Sequence, residues 1–286
     1  MKLASTPHAQ VAVRAAVRPQ PPRLAILLAA TALLALSLLS AAALAQRAAA
    51  SRPQPTIVLV HGAWAGPSGW NKVVAGLSKD GYATATPRLN LMTLAEDVAT
   101  VRATLDSISG DKILVGHSYG GFVVSNAAFG RSDVRGLVYT AAFVPDEFDS
   151  IISLGEGYQP PAALPHLVFT GEPFASPAYI DPAFFPQVFA QDLNPKLAAA
   201  LSDVQQPVNL ATFFTPSGPV AWHALPSWYA VSGADRIVDP ALQRALAQRI
   251  GATTVEFEDA SHAGGFTHYA ARFVKLVEQA VQATAG

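Results

Sequence analysis

The chain has 286 residues, 51% of them apolar and only 14% charged, with 19 basic against 20 acidic side chains and no cysteine. That balance is too apolar for a disordered chain and too near neutral for a protein that grips phosphate backbones. Without cysteine there is neither a disulfide nor a lipoprotein anchor, and a chain of this size can bury a core that needs no cross-links.

Residues 1–45 read as a secretory signal. Lys2, Arg14, Arg18 and Arg23 come first with no acid among them, then an apolar run from Leu24 to Leu39, then the small residues of Ala43-Leu44-Ala45 where a signal peptidase reads. The rival reading is a retained membrane anchor, since Leu24 to Ala45 is just long enough to cross a bilayer. The weakly hydrophobic alanines and the Ala-x-Ala site favour cleavage. The expectation is therefore an exported protein, periplasmic or secreted, with no stable membrane span. Removal of the segment leaves 15 basic residues against 20 acidic ones, so no electrostatic reason to bind nucleic acid remains.

Residues 46–55 read as a linker, and residues 56–286 as one domain. Short β-branched runs at Thr56–Val60, Tyr82–Thr86, Lys112–Val115, Val134–Ala141, Trp228–Ser232 and Thr253–Glu258 read as strands. Helical patterns alternate with them over Ser68–Lys79, Thr93–Ile108, Tyr119–Phe129, Pro240–Ile250 and Phe266–Ala280. Thr93 with Glu96 fits a capping box, and Asp239-Pro240 fits an N-cap followed by proline at the first helical position. Alternation of this kind predicts an α/β fold, a doubly wound, mostly parallel sheet whose ligands gather at the carboxyl ends of its strands. The rhythm stops between about residues 144 and 226. That stretch holds 13 of the 22 prolines and 11 of the 25 aromatics, and so many aromatics mark a folded insertion, a cap over the strand ends, rather than a linker.

The chemistry centres on Gly116-His117-Ser118-Tyr119-Gly120, which ends one predicted strand and opens the next helix. A turn this sharp strains the backbone at serine and projects its hydroxyl above the sheet, over a helix N-terminus. Ser118 is thus the expected nucleophile. A serine hydroxyl needs a base, and the base an orienting carboxylate. For a nucleophile on such a turn they follow in the chain order acid, then histidine. His262 directly follows the last strand, whereas His268 falls inside the final helix; His61 and His117 sit in backbone motifs, and His166 and His223 in the insertion. His262 is the expected base, and Asp235, just past the fifth strand, the expected acid. The backbone N–H of Tyr119 and that of Ala63, or alternatively of Trp64, are the expected oxyanion donors. Trp64 and Trp222 are the expected substrate contacts. No His/Asp/Glu cluster has metal-ligand spacing.

With these residues in place, the chain resembles the α/β-hydrolase superfamily, and within it the small serine hydrolases related to hydroxynitrile lyases and methyl-ester esterases. The resemblance rests on Val58–Trp64, Val115–Gly121, Ala141–Pro145, Trp222 with Pro226–Tyr229, Asp235 to Pro240, and Ser261-His262. It implies the fold, the cap, a triad of Ser118, Asp235 and His262, and no cofactor. It leaves the substrate open. The expected activity is hydrolysis of a small-molecule carboxylic ester through an acyl-enzyme. The alternatives are a lyase of the hydroxynitrile-lyase type, a C–C hydrolase on the same triad, or a non-catalytic small-molecule receptor. The insertion carries eight acids and one base, Lys196, which points to a neutral, apolar or aromatic ester. One departure stands out: after His262, relatives run into an apolar stretch and a proline, where this chain has Ala263-Gly264-Gly265.

Overall fold

The computed structural model describes residues 54–285. The signal-like segment and all but the last two residues of the expected linker lie outside the described residues. Within them are strands β1 (Thr56–Val60), β2 (Thr84–Ala85), β3 (Lys112–His117), β4 (Val134–Thr140), β5 (Leu167–Phe169), β6 (Ala178–Ile180), β7 (Ser227–Ser232) and β8 (Thr253–Phe257). Six of them form one sheet in the order β2-β1-β3-β4-β7-β8, with every pairing parallel. All six residues of β3 are buried, as a central strand covered on both faces requires. This is why the strands read as unbroken apolar runs rather than alternating ones.

Helices α1 (Asn71–Lys79), α2 (Leu94–Asp106), α3 (Tyr119–Ala127), α4 (Ile151–Gly155), α5 (Phe185–Phe189), α6 (Pro195–Asp203), α7 (Pro240–Arg249), α8 (Gly264–Thr267) and α9 (Ala270–Ala283) complete the chain. α1 packs against α9 and α2 against α3, and the two pairs clothe the sheet. α9 buries Phe273, Val274, Val277, Ala280 and Val281, a three- and four-residue spacing that draws one apolar stripe down the helix. Asp239 caps α7 through the amide of Ala241 at 2.8 Å. At α2, Thr93 Oγ accepts from the Glu96 amide at 3.2 Å, while the Glu96 carboxylate takes the Thr93 hydroxyl at 2.9 Å instead of its amide. Half of the expected capping box is present.

Two elements differ from expectation. β2 shrinks to two residues because the Tyr82 amide closes the end of α1 on Leu77 O at 3.0 Å, and Pro87, just beyond it, cannot donate to a ladder. The final helix is broken after Thr267, where the Tyr269 ring stacks on Phe257 with centres 5.0 Å apart. Between β4 and β7 the chain forms α4, α5, α6 and the antiparallel pair β5–β6. Among the described residues no helix is long and apolar enough to cross a membrane.

Candidate active site

The winding direction of the sheet reverses between β1 and β3, the place where an open α/β sheet leaves a crevice at its carboxyl edge. The register there pairs Val60 with Gly116. Carried two residues further, the same offset sets Gly62 beside Ser118. The approach is so close that a Cβ on Gly62 would lie 2.6 Å from Ser118 Cβ and 2.9 Å from His117 O. Only glycine fits, and the loop after β1 is thereby pressed against the serine.

Ser118 itself has φ 55° and ψ −124°, the left-handed region that non-glycine residues enter at a cost of order 1–3 kcal/mol. Its amide is held by Thr140 O at 3.3 Å, and its carbonyl accepts from the Gly121 and Phe143 amides at 3.0 and 3.2 Å. Tyr119 follows as the first residue of α3, so its N–H has no acceptor within the helix. The Ala63 amide likewise donates to no group among the described residues. Trp64, next in that loop, is strained as well, with φ 53°, and its indole donates to Ala178 O at 3.1 Å. His61 braces the loop: its Nε2 accepts from the Leu89 amide at 3.1 Å, which leaves the proton on Nδ1 for Gly62 O at 2.9 Å. Burial lowers the His61 pKa to about 4, so the ring is neutral near pH 7.

Asp235 and His262 come from the loops after β7 and β8. They meet at 2.7 Å between Asp235 Oδ2 and His262 Nδ1, with both side chains fully buried. Facing a carboxylate, Nδ1 carries the proton, and Nε2 is left bare, with no hydrogen-bond partner among the described residues. Asp235 Oδ1 accepts from the amides of Ile237 (2.7 Å) and Val238 (3.1 Å). Oδ2 also takes Gln243 Nε2 at 2.8 Å. The His262 ring lies 4.5 Å, centre to centre, from that of His117, the residue before Ser118. His117 donates from Nε2 to His262 O at 3.0 Å. Burial, and then the neighbouring imidazole of His262, push the His117 pKa well down.

The Gly264-Gly265 pair has a steric reason. A Cβ on Gly264 would strike the Asp192 carboxylate and lie 2.9 Å from Ala260 Cβ, and one on Gly265 would lie 2.7 Å from Thr140 Oγ. The short α8 packs down onto the strand ends only because those positions have no side chain.

A cavity of about 290 Å³ opens over Ser118, Tyr119, Ala63 and Trp64, walled mainly by apolar groups such as Phe143 and Phe213. Its charged lining groups, Glu156 and Asp239, are both acidic. Asp239 is fully engaged, by the Ala241 amide and by the Gln159 amide at 2.9 Å. Trp222, expected at the substrate, is not brought there. Its indole donates to Pro145 O at 2.7 Å and its ring lies under the Arg249 guanidinium at 5.9 Å. The other histidines are elsewhere too: His166 stacks on Phe184, His223 pairs with Asp146, and His268 is half exposed beside Asp192. Among the described residues no group of three or more His, Asp or Glu side chains could hold a metal ion.

Two buried polar residues escape a reading of the sequence. Gln243, fully buried, accepts from the Ser232 amide at 2.9 Å and thereby aims its NH₂ at Asp235. Asp97, also fully buried, accepts the Tyr119 phenol at 2.8 Å. Each lies four residues, about one helical turn, from a cap, Asp239 or Thr93, which is the local signal that a polar residue there can face inward.

Comparison with known proteins bears on the fold and the family. A carbendazim hydrolyzing esterase of Nocardioides sp. (strain SG-4G) is 38% identical over 117 residues, 36% of this chain and 48% of that protein, so the match spans about half the length of that relative. The fold is shared with a pyrethroid hydrolase from Sphingobium faniae JZ-2 (TM-score 0.68, 22% identity, 81% of this chain and 98% of that one). It is shared too with the Arabidopsis methylesterase MES16 (TM-score 0.64, 20% identity, 79% and 98%). A family model matches residues 57–276, nearly the whole of the described chain, and on that match the protein belongs to the alpha/beta hydrolase family.

Proposed function

We propose that this protein hydrolyses carboxylic esters through an acyl-enzyme on Ser118. The observation that carries the proposal is the buried Asp235–His262 pair, whose bare Nε2 belongs to the same packed cluster as the strained turn at Ser118. In this reading His262 Nε2 takes the Ser118 proton as Oγ attacks the ester carbonyl, and the Tyr119 and Ala63 amides stabilise the oxyanion. The imidazolium then protonates the departing alcohol, leaving an ester on Ser118. A water deprotonated by His262 attacks that acyl group, and the proton returns to Ser118 as the acid leaves. Asp235 holds the imidazole in one tautomer and favours its charged form throughout.

The insertion serves as a cap, and the cavity beneath it takes the acyl or alcohol group of a neutral, apolar or aromatic ester. Its apolar walls and two acidic lining groups support that choice, and the partial match to a named esterase supports the reaction class. A panel of nitrophenyl esters graded by acyl length, run on wild type and Ser118→Ala, tests the reading. Turnover is expected in the wild type and lost in the variant, along with fluorophosphonate labelling. Ester turnover surviving in Ser118→Ala overturns it, as does a wild type that neither turns over esters nor accumulates an acyl-enzyme. Residues 1–45 are proposed as a cleaved signal; the exported protein should begin near Gln46 on N-terminal sequencing, and a retained Met1 would refute that.

A further inference from the structure

We infer that Asp97 is a positioning residue for the oxyanion amide, acting through the phenol of Tyr119. The inference rests on the serine-esterase reading and goes beyond it, since Asp97 lies outside the triad.

Asp97 is fully buried, and among the described residues no Lys, Arg or His forms an ion pair with it. Its carboxylate is held by three neutral donors: the amides of Asn90 (3.0 Å) and Leu91 (3.1 Å) on Oδ1, and the Tyr119 hydroxyl (2.8 Å) on Oδ2. It also lies in the first turn of α2, where the helix dipole favours negative charge. A buried carboxylate without a cation is a costly way to fill space. What it supplies is a charge-assisted hydrogen bond, roughly twice as strong as a neutral one. That bond grips the side chain of the very residue whose N–H faces the reacting carbonyl.

The mechanical logic follows from the turn. Ser118 is strained at φ 55°, so the Ser118–Tyr119 peptide would relax by rotating, and its N–H would swing away from the oxyanion. Tyr119 is 1% exposed and its ring is tethered at the far end to Asp97. Fixing the ring fixes the Cα, and with it the peptide. Phenylalanine would fill the same volume, but without the tether.

The same carboxylate holds a second part of the site. The turn it binds, at Asn90 and Leu91, receives the insertion: the Asn209 amide donates to Leu91 O at 2.9 Å and Thr212 Oγ donates to Met92 O at 3.1 Å. Phe213, next in the chain, walls the cavity and lies 6.3 Å from the Tyr119 ring. Asp97 therefore sets the amide and the cavity wall against each other.

The test is Tyr119→Phe, measured with the best nitrophenyl ester and with a trifluoromethyl ketone that captures the serine as a tetrahedral adduct. The expected result is a fall in kcat of about tenfold, less than the roughly hundredfold of losing a donor outright, with KM within about twofold. The ketone should bind weaker by the same factor as kcat falls. Asp97→Asn keeps its oxygen on the Asn90 and Leu91 amides and can still donate its NH₂ to the Tyr119 oxygen, so it should lose less kcat than Tyr119→Phe. The double variant should be no worse than Tyr119→Phe, which already cuts the tether. Unchanged kcat and ketone affinity in a folded Tyr119→Phe would overturn the inference, whether or not its melting point falls. So would a loss confined to KM. If Asp97→Asn does not fold, Tyr119→Phe alone decides. Ser118→Ala with retained turnover would instead sink the esterase reading, a separate outcome.

Discussion

Replacing Asp235 by asparagine changes one atom and, by the geometry, reverses the polarity of the proposed base, His262. Oδ1 faces two amide donors, Ile237 and Val238, at 2.7 and 3.1 Å, so the asparagine oxygen must occupy that side. Its NH₂ then points at His262 Nδ1 and at Gln243 Nε2. Gln243 cannot flip to accept it, because its own oxygen is pinned by the Ser232 amide at 2.9 Å. His262 can yield only by giving up the Nδ1 proton and carrying it on Nε2, the atom that in the proposed mechanism must accept the Ser118 proton. A wrong tautomer of this kind costs about 10⁴-fold in kcat, equivalent to roughly 5.5 kcal/mol of transition-state stabilisation. The donor–donor contact with Gln243 adds a folding cost of about 1–3 kcal/mol, a fall in melting temperature of several degrees for a domain of this size. Initial rates on a nitrophenyl ester, with thermal melts on the same samples, measure both. A folded Asp235→Asn enzyme within tenfold of wild-type kcat would refute the assigned orientation of Gln243 and the role of Asp235 together.

Gly62→Ala should force the loop carrying Ala63 away from Ser118, since the new Cβ meets Ser118 Cβ at 2.6 Å and the His117 carbonyl at 2.9 Å. The expected loss is about a hundredfold in kcat, that of one oxyanion donor, and slower fluorophosphonate labelling reports it independently; near-normal rates would mean that the loop supplies no donor. Acid should destabilise the protein. With its pKa lowered to about 4 in the folded state, His61 binds a proton in the unfolded chain from about pH 6.5 downward. Stability fully present above that point is therefore lost as pH falls towards 4, by about 3 kcal/mol from this residue. His117, depressed by burial, acts in the same direction. Urea midpoints at pH 7.5 and 5 check this, and equal midpoints would contradict the buried neutral imidazoles. Glu156 is the unpaired acid of the cavity wall, so Glu156→Gln should raise kcat/KM for a carboxylate-bearing ester relative to its neutral analogue by about threefold, a screened surface-charge effect. An unchanged ratio would place the ester's acid beyond its reach.

Much of this could be read from the chain because the signals are local. Apolar runs bounded by turns gave the strands, Asp239-Pro240 marked the start of α7, and the five residues around Ser118 carry their own strand-to-helix turn. The chain order of acid and histidine then singled out Asp235 and His262, which the fold brings within hydrogen-bond distance of each other. What could not be read depends on contacts made at long range. Gln243 and Asp97 are ordinary helix residues until packing turns them inward. Trp222 looks like any other aromatic of the insertion, and only the approach of Pro145 and Arg249 draws it away from the cavity. The break at Tyr269 comes from a stack on Phe257, invisible to helical periodicity. The paired glycines after His262 make sense once the Asp192 and Thr140 side chains are seen packed against them.

The segment from Phe189 to Asp192 belongs to the insertion, yet two of its hydrogen bonds are made to the loops that carry Asp235 and His262. Phe189 O accepts from the Ala263 amide at 3.1 Å, Gln191 donates to Ala234 O, and the Phe189 ring lies edge-on to His262 at 4.7 Å. In a transplant experiment the insertion is therefore not an interchangeable module. A foreign cap grafted to alter specificity would arrive without these four residues and leave the Asp235 and His262 loops to find their own positions. Grafts that keep residues 189–192 and exchange only the flanking segments give this scaffold its best chance of accepting a new substrate while keeping Asp235 and His262 in place.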